Sequence, residues 1–230
     1  MMLAERARDL QELMDDPGCD PDRLAATLRR FDLVNRAVGA WGTVWRRHMA
    51  PALRGLGRPA RVLDVGSGGG DVVARLADLA SRDGLTVDWT GIDPDARALA
   101  VARERARPNV RFESMDAAQL RATGATFDMV LSNHVLHHLG DDELTGFADD
   151  TLALSTGAVL HADIARGPLA YGLYAVGITP LQRGTFLRTD GLRSIQRSYR
   201  APELTAALGA PWRVLTPAPF RLLAVGAGRA

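Results

Sequence analysis

The sequence predicts an α/β domain, a doubly wound, mostly parallel seven-stranded sheet behind an N-terminal helical cap. Two observations carry this reading. From residue 60 onward, short β-branched runs alternate with helical runs of about 10–15 residues, the pattern of right-handed β-α-β units. The first of these runs, Arg61-Val62-Leu63-Asp64-Val65, enters the glycine-dense turn Gly66-Ser67-Gly68-Gly69-Gly70 and passes straight into a helix at Asp71. In an open parallel sheet, that first turn lies beyond the carboxyl end of a strand, where ligands bind.

Taken in order, Leu3, Ala7, Leu10 and Met14 recur at helical spacing and predict a first helix, stopped by Pro17-Gly18. Asp20 before Pro21 is an N-cap and first-turn pair for a second helix, with Leu24, Leu28 and Phe31 on one face. Val34, Val38, Trp41 and Trp45 continue that stripe, with Gly39 and Gly42 as breaks. Strands are predicted over residues 61–65, 86–93, 110–113, 127–133, 158–164, 212–215 and 220–225. Helices are predicted over 71–80, 95–107 and 141–154, and from Pro202. Residues 169–178 are apolar on nearly every face and predict an inserted lid helix within about 168–180. The arginine-rich stretch 183–200 reads as a solvated face, with an acidic substrate group as the alternative.

The composition bounds the function. At 230 residues the chain is one domain: a cap over residues 1–59, then a ligand-binding fold over 60–230. Its 28 basic residues are all arginine, so a lysine Schiff base and a phosphate-loop lysine are both excluded. Against 27 acidic residues the net charge is +1, which offers no long-range attraction for nucleic acid. The lone Cys19 suits a reducing compartment. The opening Met1-Met2-Leu3-Ala4-Glu5-Arg6 lacks the apolar core of a signal peptide. No uncharged run reaches the roughly 18 residues of a membrane span. The expected location is the cytoplasm.

A dinucleotide fingerprint would need a third glycine at position 71, where Asp71 stands and would repel a pyrophosphate. The pattern from Asp64 to Gly70 is instead D-x-G-x-G-x-G, whose leading acid suits a ligand with a cationic amino group and a sulfonium. The second signature is Ile92-Asp93-Pro94, an acid closing the next strand with its backbone held extended by the proline. The third is Ser114-Met115-Asp116-Ala117 and the fourth Phe127-Asp128-Met129-Val130-Leu131-Ser132-Asn133. Four motifs in this order resemble the class I S-adenosylmethionine-dependent methyltransferases, of the small-molecule kind found in bacterial quinone and natural-product biosynthesis. The resemblance covers residues 60–164 and implies a Rossmann-like fold. It implies S-adenosylmethionine as cofactor and S-adenosylhomocysteine as product. Asp64, Gly66, Ser67, Gly68 and Gly70 would then hold the amino-acid moiety. Asp93 and Pro94 would hold the ribose, Asp116 and Ala117 the adenine, and Ser132 and Asn133 would lie beneath the transferred methyl group.

Four of the five histidines fall in the back half of this region: His134, His137, His138 and His161. A base that takes the proton of an acceptor hydroxyl would assist methyl transfer, and histidine titrates near neutrality. His134, His137 and His161 are the catalytic candidates, while His138 reads as structural because the Leu-His-His-Leu stretch recurs across the resembled superfamily. A metal site from His134, His138, His161 and Asp163 is chemically feasible. The resembled motif explains the spacing without one, and no metal is expected. The lid helix with Tyr171 and Tyr174 would cover the acceptor, or form a homodimer surface. Trp41 and Trp45, beside Arg46 and Arg47, would close the other side, or be core.

The expected function is methyl transfer to a small-molecule acceptor, a hydroxyl of an aromatic, polyketide or quinone-like metabolite. Carbon and nitrogen acceptors are the alternatives. A nucleic-acid methyltransferase should carry Asn-Pro-Pro-Tyr in its fourth motif, and this chain has Ser132-Asn133-His134-Val135. A non-catalytic subunit of the same fold would have no need of the intact glycine turn and its acids.

Overall fold

The computed structural model describes residues 3–229; Met1 and Met2 of the charged opening segment, and Ala230, lie outside the described residues. The strands are β1 (Ala60–Val65), β2 (Val87–Ile92), β3 (Val110–Glu113), β4 (Phe127–Asn133), β5 (Ser155–Ile164), β6 (Arg213–Leu215) and β7 (Arg221–Ala227). They form one seven-stranded sheet in the order β3-β2-β1-β4-β5-β7-β6. β7 alone runs against the rest. From β1 the chain winds outward to β3, then returns to place β4 on the other side of β1. That reversal opens the crevice in which doubly wound folds bind their ligands.

Helices cover both faces. α4 (Asp71–Arg82) presents Val72, Val73, Leu76 and Ala80 to β1 and β2 at helical spacing. α5 (Ala96–Ala102) covers the same face. The opposite face packs beneath α6 (Ala117–Ala122), α7 (Asp141–Ala153) and α10 (Ala201–Leu208). α8 (Pro168–Gly177) and α9 (Leu187–Arg197) lie between β5 and α10 in the chain.

The cap begins with α1 (Pro21–Val38), where Asp20 accepts the backbone N–H groups of Asp22 and Arg23 as the Asp-Pro pair predicts. α1 ends at Gly39, and Ala40 turns the chain with a φ of 58°. α2 (Trp41–Val44), a π-helical turn over Trp45–Met49 and α3 (Ala50–Gly55) follow. Gly42 sits inside α2 and breaks nothing. Trp41 and Trp45 are buried in the cluster that holds β1 and α4. Their indole N–H groups donate to Asn133 (3.2 Å) and Asp83 (3.0 Å). They are core residues and do not line the cavity.

Two elements differ from expectation. Residues 3–14 form no helix; apart from a short 3-10 turn at Leu13–Asp15 they run as a strap across α9. A helix needs its carbonyls for its own N–H groups four residues on. Here Arg166 donates to the carbonyls of Leu3 (2.6 Å) and Ala4 (2.8 Å), and Arg193 to that of Gln11 (2.7 Å). Asp190 accepts from the N–H groups of Leu13 and Met14, so tertiary partners outcompete the local ones. The arginine-rich stretch, read as a solvated face, contains α9, with Asp190, Ser194 and Arg197 turned inward.

No helix among the described residues is long and apolar enough to cross a membrane. Arg166 tests the strap. Its buried side chain also donates to Ser198 and pairs with Glu203, so Arg166→Met orphans several acceptors at once. The expected loss is about 2–3 kcal/mol in urea denaturation, with the strap released. An unchanged midpoint would show that the strap is not held this way.

Candidate functional site

A cavity of about 480 Å³ opens where β1, β2 and β4 end. One end of it is built on the glycine turn. Gly66 and Gly68 have φ of 72° and 51°, in the left-handed region that glycine adopts without strain. A Cβ on Gly66 would lie 2.6 Å from Val135 Cγ2, and one on Gly69 would lie 3.0 Å from the Leu28 carbonyl oxygen. The turn is therefore bare backbone pressed between α1 and the segment after β4. Gly70 caps α4, and its Cβ would strike the Phe112 ring at 2.6 Å; it does not line the cavity.

Three carboxylates border this turn. Asp93 Oδ2 accepts the Gly68 N–H (2.8 Å) and Oδ1 accepts that of Asp95 (2.9 Å), which aims the carboxylate and leaves each oxygen a lone pair. Pro94 beside it lines the cavity. Asp71 accepts from Asn35 Nδ2 (2.9 Å), a polar residue that α1 carries on its otherwise apolar cavity face. Asp64 is buried, faces the cavity, and its Oδ1 has no hydrogen-bond partner among the described residues. Burial, with Asp71 and Asp93 adding repulsion, pushes its carboxyl well above the usual carboxylate range. Burial raises Asp71 and Asp93 as well. Such a buried acidic pocket calls for a cation, which fits the hydrogen-bonding ammonium and the charged sulfonium of S-adenosylmethionine and not a phosphate.

The other end of the cavity holds the histidines, and the expectation of a free histidine base is corrected there. His134 adopts a φ of 61° and takes the Arg221 Nη1 donor on Nε2 at 2.8 Å. Arginine only donates, so this nitrogen is the acceptor, and the ring's one lone pair is occupied. Burial away from bulk water and the adjacent Arg221 hold its pKa well below the usual value. His137 is buried between Asp163 Oδ1 on Nδ1 (2.7 Å) and Glu12 Oε1 on Nε2 (3.3 Å). Burial alone would lower its pKa, but the two carboxylates win and hold it at about 9. It is an imidazolium with both nitrogens donating. His161 never reaches the cavity; it is wedged between Phe147 and Trp212. Its Nδ1 lies 2.8 Å from Ser132 Oγ and its Nε2 lies 3.1 Å from Thr151 Oγ1, and burial lowers its pKa to about 3.

Ser132 is thereby drawn into the core. Asn133 does line the cavity, accepting from Trp41 and from Arg221 Nη2 (3.0 Å). Asp116 is the exposed N-cap of α6, in a capping box with Gln119, and Ala117 is buried beneath that helix; neither lines the cavity. Tyr174 of α8 does, donating to the Leu187 carbonyl (2.7 Å), whereas Leu169, Leu173 and Val176 point outward.

Several site residues escaped sequence reasoning. Glu12 and Asp15 were hidden in the supposed first helix, and Ser194 in the supposed solvated face. Arg221 carried a faint signal, one charged residue opening the apolar run Leu222-Leu223-Ala224-Val225. Its guanidinium is buried beside neutral Asn133 and His134, and burial lowers its pKa to about 10.

Asp64 carries a pH signature. Its folded pKa lies above the unfolded value of about 3.9, so its native state holds a proton that the unfolded chain has lost. That contribution to stability is complete at low pH and is lost as pH rises toward the folded pKa. Asp64→Asn is expected to exceed the parent in melting temperature at pH 8, by roughly 2–4 °C for each kcal/mol recovered, with the difference shrinking toward pH 4. A difference independent of pH would contradict the assignment.

The profile of a family described as a methyltransferase domain matches residues 62–154. The ubiquinone biosynthesis O-methyltransferase of Brucella anthropi is 30% identical over 151 residues, which cover 64% of this chain and 57% of that one. The demethylmenaquinone methyltransferase of Deinococcus radiodurans is 33% identical over 134 residues, covering 56% and 53%. The chain thus spans about half the length of the curated relatives it matches. Among solved structures, a plantazolicin methyltransferase in complex with SAH superposes with a TM-score of 0.60 at 13% identity, covering 91% of this chain and 95% of that one. Human N-acetylserotonin methyltransferase in complex with SAM gives 0.60 at 12% identity, over 88% and 55%. These two likenesses carry the fold alone. Residues 62–154, from β1 through α7, thus match a methyltransferase domain, and the fold is shared with these two solved methyltransferases.

Proposed function

We propose that this chain transfers a methyl group from S-adenosylmethionine to a hydroxyl of a small aromatic, polyketide or quinone-like molecule. The observation that carries the reading is the unpartnered buried carboxylate of Asp64 at the root of a bare glycine turn. The cofactor, when bound, supplies a methyl group on a sulfonium, open to in-line displacement. The chain's residues do the rest. Asp64 receives the cationic amino-acid end, and the backbone of Gly66, Ser67 and Gly68 lies against it. Asp93, already aimed by two backbone donors, accepts the ribose hydroxyls. The apolar face of α1, with Leu24, Leu28, Phe31 and Val34, keeps water from the reacting atoms.

Arg221 favours an oxygen acceptor. Its buried guanidinium has no carboxylate of the described residues within hydrogen-bond reach and stabilises an acceptor oxygen as it loses its proton. The O-methyltransferase name of the Brucella relative agrees with this class. The demethylmenaquinone relative keeps a carbon acceptor as the second reading. The net charge of +1 favours no nucleic acid. A cytoplasmic setting accords with the single cysteine, and a homodimer would pair through the outward row Leu169, Leu173 and Val176.

Calorimetric titration with S-adenosylmethionine tests the reading: binding is expected, and its absence refutes it. Asp93→Ala removes two charge-assisted hydrogen bonds and is expected to weaken that binding by roughly tenfold to a hundredfold. Unchanged affinity would refute the ribose assignment. Turnover on a panel of phenols, amines and carbon acids is expected to favour the phenols, and exclusive turnover of carbon acids would replace the oxygen reading with the second.

A further inference from the structure

With every expected base committed elsewhere, the acceptor proton needs another outlet. The strap brings a carboxylate to the histidines that sequence spacing could not reveal. Glu12 Oε1 lies 3.3 Å from His137 Nε2 and 3.8 Å from His138 Nε2. Ligand atoms from all three residues lie within 4.8 Å of one another, and all three residues line the cavity. The geometry points to a divalent transition-metal site at this end of the cavity, with Glu12, His137 and His138 as its protein ligands.

Four features support it. First, a tetrahedral ion with bonds of about 2.0–2.2 Å holds its ligand atoms roughly 3.3–3.6 Å apart, close to the 3.3 and 3.8 Å from Glu12 to the two imidazoles. The 3.8 Å contact is too long for a hydrogen bond, so His138 and Glu12 approach a common point without bonding each other.

Second, each imidazole is backed by its own carboxylate. Asp163 holds His137 Nδ1 at 2.7 Å and Asp15 holds His138 Nδ1 at 3.3 Å. Both Nε2 atoms are thereby turned toward Glu12, the carboxylate–histidine–metal arrangement that fixes ligand orientation. Third, Glu12 is itself fixed, by the Ser194 hydroxyl at 2.7 Å. Fourth, two imidazoles and one carboxylate suit zinc or iron(II) better than magnesium or calcium, and leave a coordination position for a substrate.

A second grouping, His134, His137 and Asp163, also brings ligand atoms together. It fails on two counts. The 2.7 Å between His137 Nδ1 and Asp163 is a hydrogen bond, too short for two ligands of one tetrahedral ion, and His134 Nε2 is occupied by Arg221. Asp163 is the orienting carboxylate.

As the metal enters, the Nε2 proton of His137 leaves to solvent. The acceptor hydroxyl would then take the open position and its O–H bond would break, the proton passing to solvent; the oxygen's retained electron pair would form a bond to the methyl carbon as the methyl–sulfur bond breaks and its electrons return to sulfur, leaving a neutral thioether. That last role rests on the proposed methyl transfer; the metal site itself does not.

The test is calorimetric titration of chelator-treated protein with zinc chloride, with cobalt(II) absorption as a spectroscopic check of inner-sphere coordination. One zinc per chain is expected, with affinity weakened roughly tenfold or more in Glu12→Gln and in His138→Gln and unchanged in His48→Gln. S-adenosylmethionine binding, measured on each variant, reports that the fold is intact. No zinc binding by the parent, or equal binding by folded Glu12→Gln and His138→Gln, overturns the site. Zinc binding without cofactor binding would leave the site standing and remove the methyltransferase reading; cofactor binding without zinc would do the reverse.

Discussion

The carboxylate of Asp64, near the end of β1, has an oxygen that no donor among the described residues reaches. A fold does not bury an unpaired acid for its own stability, because desolvation without a partner destabilises the native state. Around that acid the sheet is arranged as a crevice: β4 returns beside β1, and β2 ends in Asp93. The turn between β1 and α4 is bare because Val135 on one side and Leu28 on the other leave no room for a Cβ. In the proposed function, the Asp64 carboxylate is one half of an ion pair whose other half is the cationic end of the ligand. Instability in the empty state is converted into affinity when a cation arrives.

The far end of the cavity depends on a different device. His137 reaches Asp163 at the end of β5 and Glu12 on the strap, tying the strap to the sheet in one wall. Arg197 reinforces it, pairing with Asp15 (3.4 Å) and donating to the His138 carbonyl (3.2 Å). The strap's carbonyls are held by arginines from beyond β5, so this wall exists only once the C-terminal half has folded. The glycine-turn end is thereby built within the first half of the chain, whereas the histidine end joins the N-terminal strap to residues of the second half.

Much of the sheet was legible before any coordinates. Strands 110–113 and 127–133 match β3 and β4 residue for residue, because β-branched and apolar runs bounded by turns leave little alternative. The glycine turn and Asp93 were legible because their chemistry is local. The strap was not. Leu3, Ala7, Leu10 and Met14 satisfy a helical period, yet the backbone of this stretch is claimed by Arg166, Arg193, Arg200 and Asp190, partners that no local pattern exposes. The histidines illustrate the same limit from the other side. Sequence could gather them on one stretch, but which nitrogen is free depends on Arg221, Asp163, Glu12 and Ser132, all distant in the chain or hidden in a misread element. Asp116, read as an adenine contact, turned out to cap α6, a helix that the sequence reading did not propose.

The central claim is that Asp64 is the counter-charge awaiting the cationic end of the cofactor. A crystal structure of the chain with S-adenosylmethionine tests it most directly. The ligand amino group is expected within hydrogen-bond distance of the Asp64 carboxylate, over the backbone of Gly66 and Gly68, with the ribose hydroxyls on Asp93. A bound ligand whose amino group lies elsewhere, leaving Asp64 still without a partner, would contradict it.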